Sequence, residues 1–562
     1  MNNNVLDIKD YIVFFVYFVI VAAYGFYIYY KKKSKVSDSK DYFLAEGSLT
    51  WWAIGASLIA SNISAEQFIG MSGNGFTMGL AIATYEWMAA ATLIVVAVFF
   101  IPVYLKNKIY TMPQFLHQRY NGTVAMIMAV FWLLLYVVVN LTSILFLGAL
   151  AISSISGISL TACMIFLAVF AVIITLGGMK VIGYTDVIQV FFLILGGLAT
   201  TYLALDLVAK HFGAEGAIQG FNFITQQADD HFHMILKPDN NHYISLPGLT
   251  VLIGGMWIVN LNYWGCNQYI TQRALGADLK TARRGLLFAA FLKILMPVIV
   301  VLPGIAAYVL FKNGYFQQEM MVNGELVQDK AYPVLLNLLP SGLKGLSFAA
   351  LTAAVVASLA GKANSIATIF TLDIYKKRIN PEADEKKQVW VGRVTIVLAM
   401  LVAVLIAPFL GIDKKGGFEF IQEYTGFVSP GIFAMFILGF FWKKTTSNAA
   451  LFATIGGFAL SVFFKVMPNF VNLQFLSPMG FSKQVLQKDG RLLYEIPFLD
   501  RMGFVFVLAV IGMYIISMID NRKGVVPNGL EVDTKMFRTD SKFAVGAILI
   551  IGVLVALYTI YW

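Results

Sequence analysis

The residues that could do chemistry are concentrated between Trp51 and Ala89, WWAIGASLIASNISAEQFIGMSGNGFTMGLAIATYEWMA. The stretch begins as an apolar helix. It then sets Ser61, Asn62, Ser64, Glu66 and Gln67 in quick succession, is expected to break at Gly70, Gly73 and Gly75, and resumes with Glu86 among apolar residues. Polar and ionisable groups are expensive at membrane depth and persist there where they face a cavity or a path. SNISAEQ lies too few residues from the start of its hydrophobic run to have cleared a bilayer, so these groups read as lining a site rather than a loop. Glycines that break a helix at that depth are tolerated where the freed backbone lines a protected or wet site. A second such segment is GGMWIVNLNYWGCNQYITQR, in which Asn260, Asn262, Trp264, Gly265, Asn267 and Gln268 crowd the second half and predict an interruption there. Two interrupted helices in corresponding positions of two halves point to the central site of a secondary transporter. They are the second and seventh spans, five apart, which suits two five-helix repeats.

Covalent chemistry would need metal-ligating histidines or a nucleophile beside a base. The five histidines, His117, His211, His231, His233 and His242, are expected in loops. There His231 and His233, with Asp229 and Asp230, read as a solvated surface before they read as a metal site. Cys163 and Cys266 both fall in apolar segments and imply neither a disulfide framework nor a metal. A channel would need a continuous polar pore, and one midplane cluster fits a transporter better.

The elements that must hold these groups are membrane spans in a lipid bilayer. The 562 residues are 59% hydrophobic and 13% charged, with mean hydropathy +0.75, which excludes a soluble domain of this size. About fourteen hydrophobic spans are expected, near 10–30, 51–72, 79–104, 123–152, 158–176, 185–208, 247–270, 285–311, 345–375, 391–410, 417–441, 446–467, 502–519 and 543–562. The first is long enough to cross and has no small-residue cleavage pattern after it, so it reads as a span and not a signal peptide. The net charge of +10 sits in short loops between apolar runs; this is the positive-inside pattern and not a nucleic-acid footprint. With the N-terminus outside, the inward loops hold more than twice the Lys and Arg of the outward ones. Both termini are therefore expected on the extracellular or periplasmic side of the plasma (inner) membrane. Lys293, Lys362 and Lys465 fall inside spans. KKKSK at 31–35 and the basic loop 376–387 are topology signals. The long outward loops 209–246, 312–344 and 468–501 carry enough Phe, Leu and Tyr for short helices.

WWAIGASLIASNISAEQFIGMSG, ATYEWM, GYTDVIQVFF, NYWGCNQYITQR, NSIATIFTLDIYK and IQEYTGFVSPG resemble, in order, motifs of the solute:sodium symporter family. The likeness extends over nearly all spans. It implies an all-α polytopic membrane protein with LeuT-type inverted five-helix repeats. One extra helix lies at 10–30, the repeats at 51–208 and 247–441, and three C-terminal helices in 446–562. It further implies import of a galactose- or glucose-like hexose by sodium symport through alternating access. The residues that match the family's sugar ligands are Gln67, Glu86, Asn260, Lys293 and Gln422. They offer an acceptor carboxylate, a donor ammonium and bifunctional amides, which is what sugar hydroxyls want. The alternative for Glu86 and Lys293 is a structural ion pair. Matching wall and gate positions are Met71 and Phe418 on the outer side and Tyr263 on the inner side, with Asn62 as partner of the Tyr263 hydroxyl. Tyr85 and Trp87 flank Glu86 as wall or packing. Ala89 stands where the family has a further sugar-binding serine, so one hydrogen bond is missing.

The resemblance also implies a sodium site, formed by carbonyls of Ala60 and Ile63 and, in the ninth span, the carbonyl of Ala354 and two adjacent hydroxyls. The matching pair here is Ala357 and Ser358, so one hydroxyl ligand is absent. Asp186 matches the residue that supports the sodium region. Lys362 lies one helical turn beyond Ser358 on the same face. Its ammonium could lean back to the Ser358 turn, snorkel toward the cytoplasmic side, or pair with Asp186. A fixed positive charge in the cation site would give a sodium-independent or proton-linked sugar transporter. A membrane sugar sensor is the further alternative to sodium symport.

Overall fold

The computed structural model describes residues 6–31, 49–176, 179–322, 324–409, 417–487 and 489–562. The basic run 32–35 and most of the loop between the tenth and eleventh spans therefore lie outside the described residues. Among the described residues, ten helices are long and apolar enough to cross a membrane, or twelve if each of two bent pairs is one span. Leu160–Thr175 has only 16 residues, and Trp51–Asn62 has 12 because its helix stops at a break. The chain divides into two compact units, each assembled from three stretches: Met1–Glu86, Trp132–His233 and Gly276–Ile421 in the first, Trp87–Phe131, Met234–Leu275 and Gln422–Trp562 in the second.

In the first unit the most enclosed span is Leu343–Ile379. Its sequence is dominated by Ala, Ser and Gly, and small residues let neighbouring backbones come close. Ile8–Lys31, Leu160–Thr175, Met179–His211 and Glu385–Ile406 pack on it. Asp10, buried, accepts from the Gly342 and Gly345 N–H groups at 2.7 and 2.9 Å, which places a carboxylate at the positive end of that helix.

Trp51–Asn62 packs on Leu279–Val300, with Gly55 against Phe288 and the Gly285 carbonyl. The helix ends at Asn62, and Ile63 turns extended at φ −79°, ψ 103°. A π-helical turn, Glu66–Met71, leads into Ser72–Met78. Gly79 then reverses the chain at φ +72°, against the His231 backbone, where a Cβ would lie 2.3 Å from the His231 carbonyl oxygen. Only glycine meets both conditions.

In the second unit, Phe498–Arg522 packs against Gly255–Gly265, Ser429–Phe441 and Gly457–Val466. Arg119 is fully enclosed and donates to the carbonyls of Gly439, Trp442 and Thr445 at 2.8, 2.9 and 3.0 Å. It thereby supplies donors to carbonyls at and just beyond the C-terminal end of Ser429–Phe441. The seventh span bends by 78° at Gly254 and is interrupted again at Cys266–Asn267, in the polar half where the sequence predicts an interruption. That half stays helical to Gly265 because Asn260 Nδ2 donates to its own helix, at the Met256 carbonyl, and the Tyr104 hydroxyl caps the Gly265 carbonyl at 2.6 Å. A separate helix, Gln268–Leu275, follows.

The long loops carry the short helices Ala217–Gln227 and Ala331–Leu336. They also carry two hairpins that hydropathy does not reveal, Met321–Val322 with Glu325–Leu326 and Lys483–Leu486 with Leu492–Glu495. His117 and His211 lie in the helices Met112–Arg119 and Met179–His211, not in loops. Among the described residues no three His, Cys, Asp or Glu are grouped to hold a metal ion.

Candidate substrate and cation site

Three elements of the first unit bring Asn62, Glu86 and Lys293 together. Asn62 is the last residue before the break, Glu86 is in the first turn of Thr84–Val95, and Lys293 is inside Leu279–Val300. The Lys293 ammonium lies 2.5 Å from Glu86 Oε2 and also donates to Asn62 Oδ1. Glu86 is 2% and Lys293 1% exposed. A charge so deeply enclosed is tenable only when paired and hydrogen-bonded. The ion pair expected as the alternative to a sugar site therefore forms. It also leaves a carboxylate, an ammonium and an amide oxygen beside a helix break, where a hydroxyl can exchange with any of them.

Gln67 uses its Oε1 to accept the Ser64 N–H at 3.1 Å, so this expected sugar ligand also shapes the break. The π turn carrying it passes close to Phe418: a Cβ on Gly70 would fall 2.8 Å from the Phe418 nitrogen. Phe418 in turn meets Tyr85 edge-on, ring centroids 4.9 Å apart, and Met71 is fully buried. Tyr85, Gly70 and Phe418 thus form one wall. In the second unit, Asn260 is buried, Gln422 is half-buried in Gly417–Gly426, and Tyr263 is half-buried edge-on to Trp264 at 5.2 Å. Trp87 contacts the Tyr558 ring at 6.1 Å, so it is packing.

The cation half is built by the same break. In an unbroken helix the Ser64 N–H would close a turn onto the Ala60 carbonyl; here it donates to Gln67 instead. The Ser358 hydroxyl, from Leu343–Ile379, approaches the Ala60 and Ser61 carbonyls at 3.3 and 3.2 Å. Rotating that hydroxyl would turn its lone pairs toward the same point, and three oxygens would then face one small cation. Behind them the Ser57 hydroxyl donates to Asp186 at 2.6 Å, and the Ser61 hydroxyl donates to the Ser57 carbonyl at 2.6 Å. Asp186 is therefore tied to Trp51–Asn62 through Ser57. Ala354 and Ala357 are buried on the helix that carries Ser358, and Ala357 brings no side-chain oxygen.

Lys362 does not take one of its three expected courses. It is 3% exposed, so it does not snorkel. Its ammonium donates to Asn140 Oδ1 at 3.5 Å and lies 4.8 Å from the centre of the Tyr136 ring. Its partners come from the π-helical turn Leu135–Leu141 of the fourth span. Sequence reasoning missed Asn140 and Tyr136; the signal was an amide inside the apolar run LLLYVVVNL.

The sequence pattern of the sodium:solute symporter family matches residues 42–457. The chain belongs to the sodium:solute symporter family. It is similar to a sodium/glucose cotransporter of Vibrio parahaemolyticus, 45% identical over 99% of both chains. It is also similar to the human sodium/myo-inositol cotransporter 2, 32% identical over 90% of this chain and 76% of that one. Among solved structures, the substrate-bound outward-open state of a Na⁺-coupled sialic acid symporter superposes with a TM-score of 0.73 at 22% identity, covering 91% of this chain and 98% of that one. The chain is thus a multi-pass membrane transporter, not an enzyme.

Proposed function

We propose that this symporter imports a hexose of the galactose or glucose type, driven by sodium. The observation that carries the reading is the Asn62–Glu86–Lys293 cluster beside the helix break, together with 45% identity to a sodium/glucose cotransporter over the whole chain. Glu86 and Lys293 are sugar ligands, with Gln67 nearby on the break; the second unit carries the other two expected ligands, Asn260 and Gln422. Met71, Tyr85 and Phe418 wall the sugar, and Tyr263 gates it. Sodium takes the Ala60, Ile63 and Ala354 carbonyls and the Ser358 hydroxyl. Ala357 leaves that set one hydroxyl short, and the Ser61 carbonyl beside Ser358 is the oxygen available to complete it.

The architecture that goes with this function is fourteen spans. A leading helix precedes inverted repeats at 51–208 and 247–441, and three closing helices follow, with both termini outside. Uptake of labelled glucose, galactose and myo-inositol into proteoliposomes, with and without an inward sodium gradient, tests the reading. Sodium-stimulated accumulation of at least one hexose is expected. Equal uptake with sodium and with choline would overturn the coupling, and counterflow of no sugar would overturn the substrate class.

A further inference from the structure

Lys465, a lysine inside an expected span, belongs to neither the sugar cluster nor the sodium oxygens. In the second unit its ammonium lies 2.9 Å from Glu423 Oε1 and 3.4 Å from Glu495 Oε2. Arg501 reaches the same Glu423 oxygen at 3.4 Å, and its guanidinium carbon lies 5.9 Å from the centre of the Phe427 ring. Glu423 is thus held by two cations from two helices, Gly457–Val466 and Phe498–Arg522. Glu495 joins from the hairpin of Lys483–Leu486 with Leu492–Glu495, where Gln487 donates to its other oxygen at 2.8 Å. The Arg501 side chain is 8% and the Glu423 side chain 18% exposed, so water screens the pair only in part. Two carboxylates and two cations cancel, which leaves the group no net charge with which to attract an ion; its use is to hold an element in place.

That element is the half-helix Gly417–Gly426, in which Glu423 follows the expected sugar ligand Gln422. A bend of 52° separates it from Ser429–Phe441, so no continuous helical ladder runs through the break to fix its rotation. At the break itself the Ser429 hydroxyl donates to the Thr425 carbonyl at 2.8 Å and accepts from Asn262 Nδ2 at 3.1 Å. Successive helical residues are turned by about 100° about the axis and do not face one another. Glu423 therefore points away from Gln422, and anchoring the one fixes the direction of the other. We propose that Glu423, clamped by Lys465 and Arg501, is a positioning residue that aims the Gln422 amide and thereby sets the sugar affinity.

The inference rests on Gln422 being a sugar ligand, and uptake of labelled galactose or glucose into proteoliposomes separates the two claims. Half-saturating sugar and maximal rate are measured for the parent, Glu423→Gln, Lys465→Met, Gln422→Asn, and Glu423→Gln combined with Gln422→Asn. Glu423→Gln and Lys465→Met are each expected to raise the half-saturating sugar about fivefold and to leave the maximal rate and the half-saturating sodium unchanged. In the Gln422→Asn background, Glu423→Gln is expected to add nothing, because both changes act on one amide. The same loss in both backgrounds, or an unchanged half-saturation in the single variants with or without a lower maximal rate, makes the clamp merely structural and overturns the inference. Gln422→Asn with the parent's half-saturation overturns the sugar-ligand reading instead. If Glu423→Gln fails to fold or Gln422→Asn abolishes uptake, Lys465→Met, whose side chain is 33% exposed, still decides through the split between half-saturation and maximal rate.

Discussion

At the scale of single residues, the site depends on charges held where water cannot screen them. Glu86 and Lys293 lie 2.5 Å apart and are almost wholly enclosed, so removing either charge strands the other. A broken buried pair costs about 3–5 kcal/mol. Glu86→Gln keeps the shape and an acceptor but loses the charge, and sugar affinity is expected to fall at least tenfold, read by binding of labelled galactose or glucose. If affinity holds while only the melting temperature drops, the pair is structural. Ser358→Ala removes the one side-chain oxygen found against the Ala60 and Ser61 carbonyls. A hydrogen bond or ligand contact to a charge contributes about 1.5–3 kcal/mol, so half-saturating sodium should rise about tenfold or more, with sugar counterflow at high sodium retained. An unchanged sodium curve would move the cation site elsewhere.

At the scale of elements, the breaks and helix ends are held by specific side chains rather than by composition. Arg119 bridges three carbonyls at the end of Ser429–Phe441. Arg119→Ala removes the side-chain donor to the Gly439 and Thr445 carbonyls, and a buried acceptor left unpaired costs about 1–3 kcal/mol. A marked loss of thermal stability in detergent is expected. Arg119→Lys should recover little of it, because a point ammonium cannot reproduce the planar fork of donors. Asp329, in the loop before Ala331–Leu336, is buried, accepts from the Gly417 N–H at 2.9 Å, and faces the backbone of Gly73 with its other oxygen. Burial pushes its carboxyl up to about 6, against an ordinary value near 4. A raised value in the fold means stability that is fully present below about 4 and is lost as pH rises through about 6. Asp329→Asn should therefore abolish one component of the pH dependence. At pH 8 it should be more stable than the parent by about 2–3 kcal/mol, and near pH 4 equal to it, as read by thermal unfolding across that range. A parent and variant with parallel pH profiles would show that Asp329 is not the titrating group.

At the scale of the whole molecule, the proposed orientation, with both ends of the chain outside, follows from the distribution of Lys and Arg and can be tested directly. A reporter fused after Trp562 that is active only in an oxidising compartment should be active, and one that fluoresces only in the cytoplasm should be dark. The reverse result would invert every span and, with them, the side from which sodium enters.

The membrane class was legible in the chain itself, because hydropathy is a one-dimensional signal that the bilayer reads directly. Gly70, Gly73 and Gly75 were expected to break the helix, but Glu66–Met78 is helical through them and the chain breaks earlier, at Ile63, inside the polar run. Glu86 and Lys293 were recognisable as buried charges, each needing a partner. Three-dimensional packing decided what local pattern could not. The seventh span is interrupted after Gly265, within its polar half, but packing adds a 78° bend at Gly254 that no polar residue marks. Asn62 turns to Lys293. Lys362, which by spacing alone had three plausible destinations, also meets an acceptor that spacing did not offer, Asn140 in the fourth span. A long flexible side chain reaches whichever acceptor the neighbouring helices bring within its radius. That acceptor is set by contacts more than two hundred residues apart in sequence, which no spacing along one helix encodes.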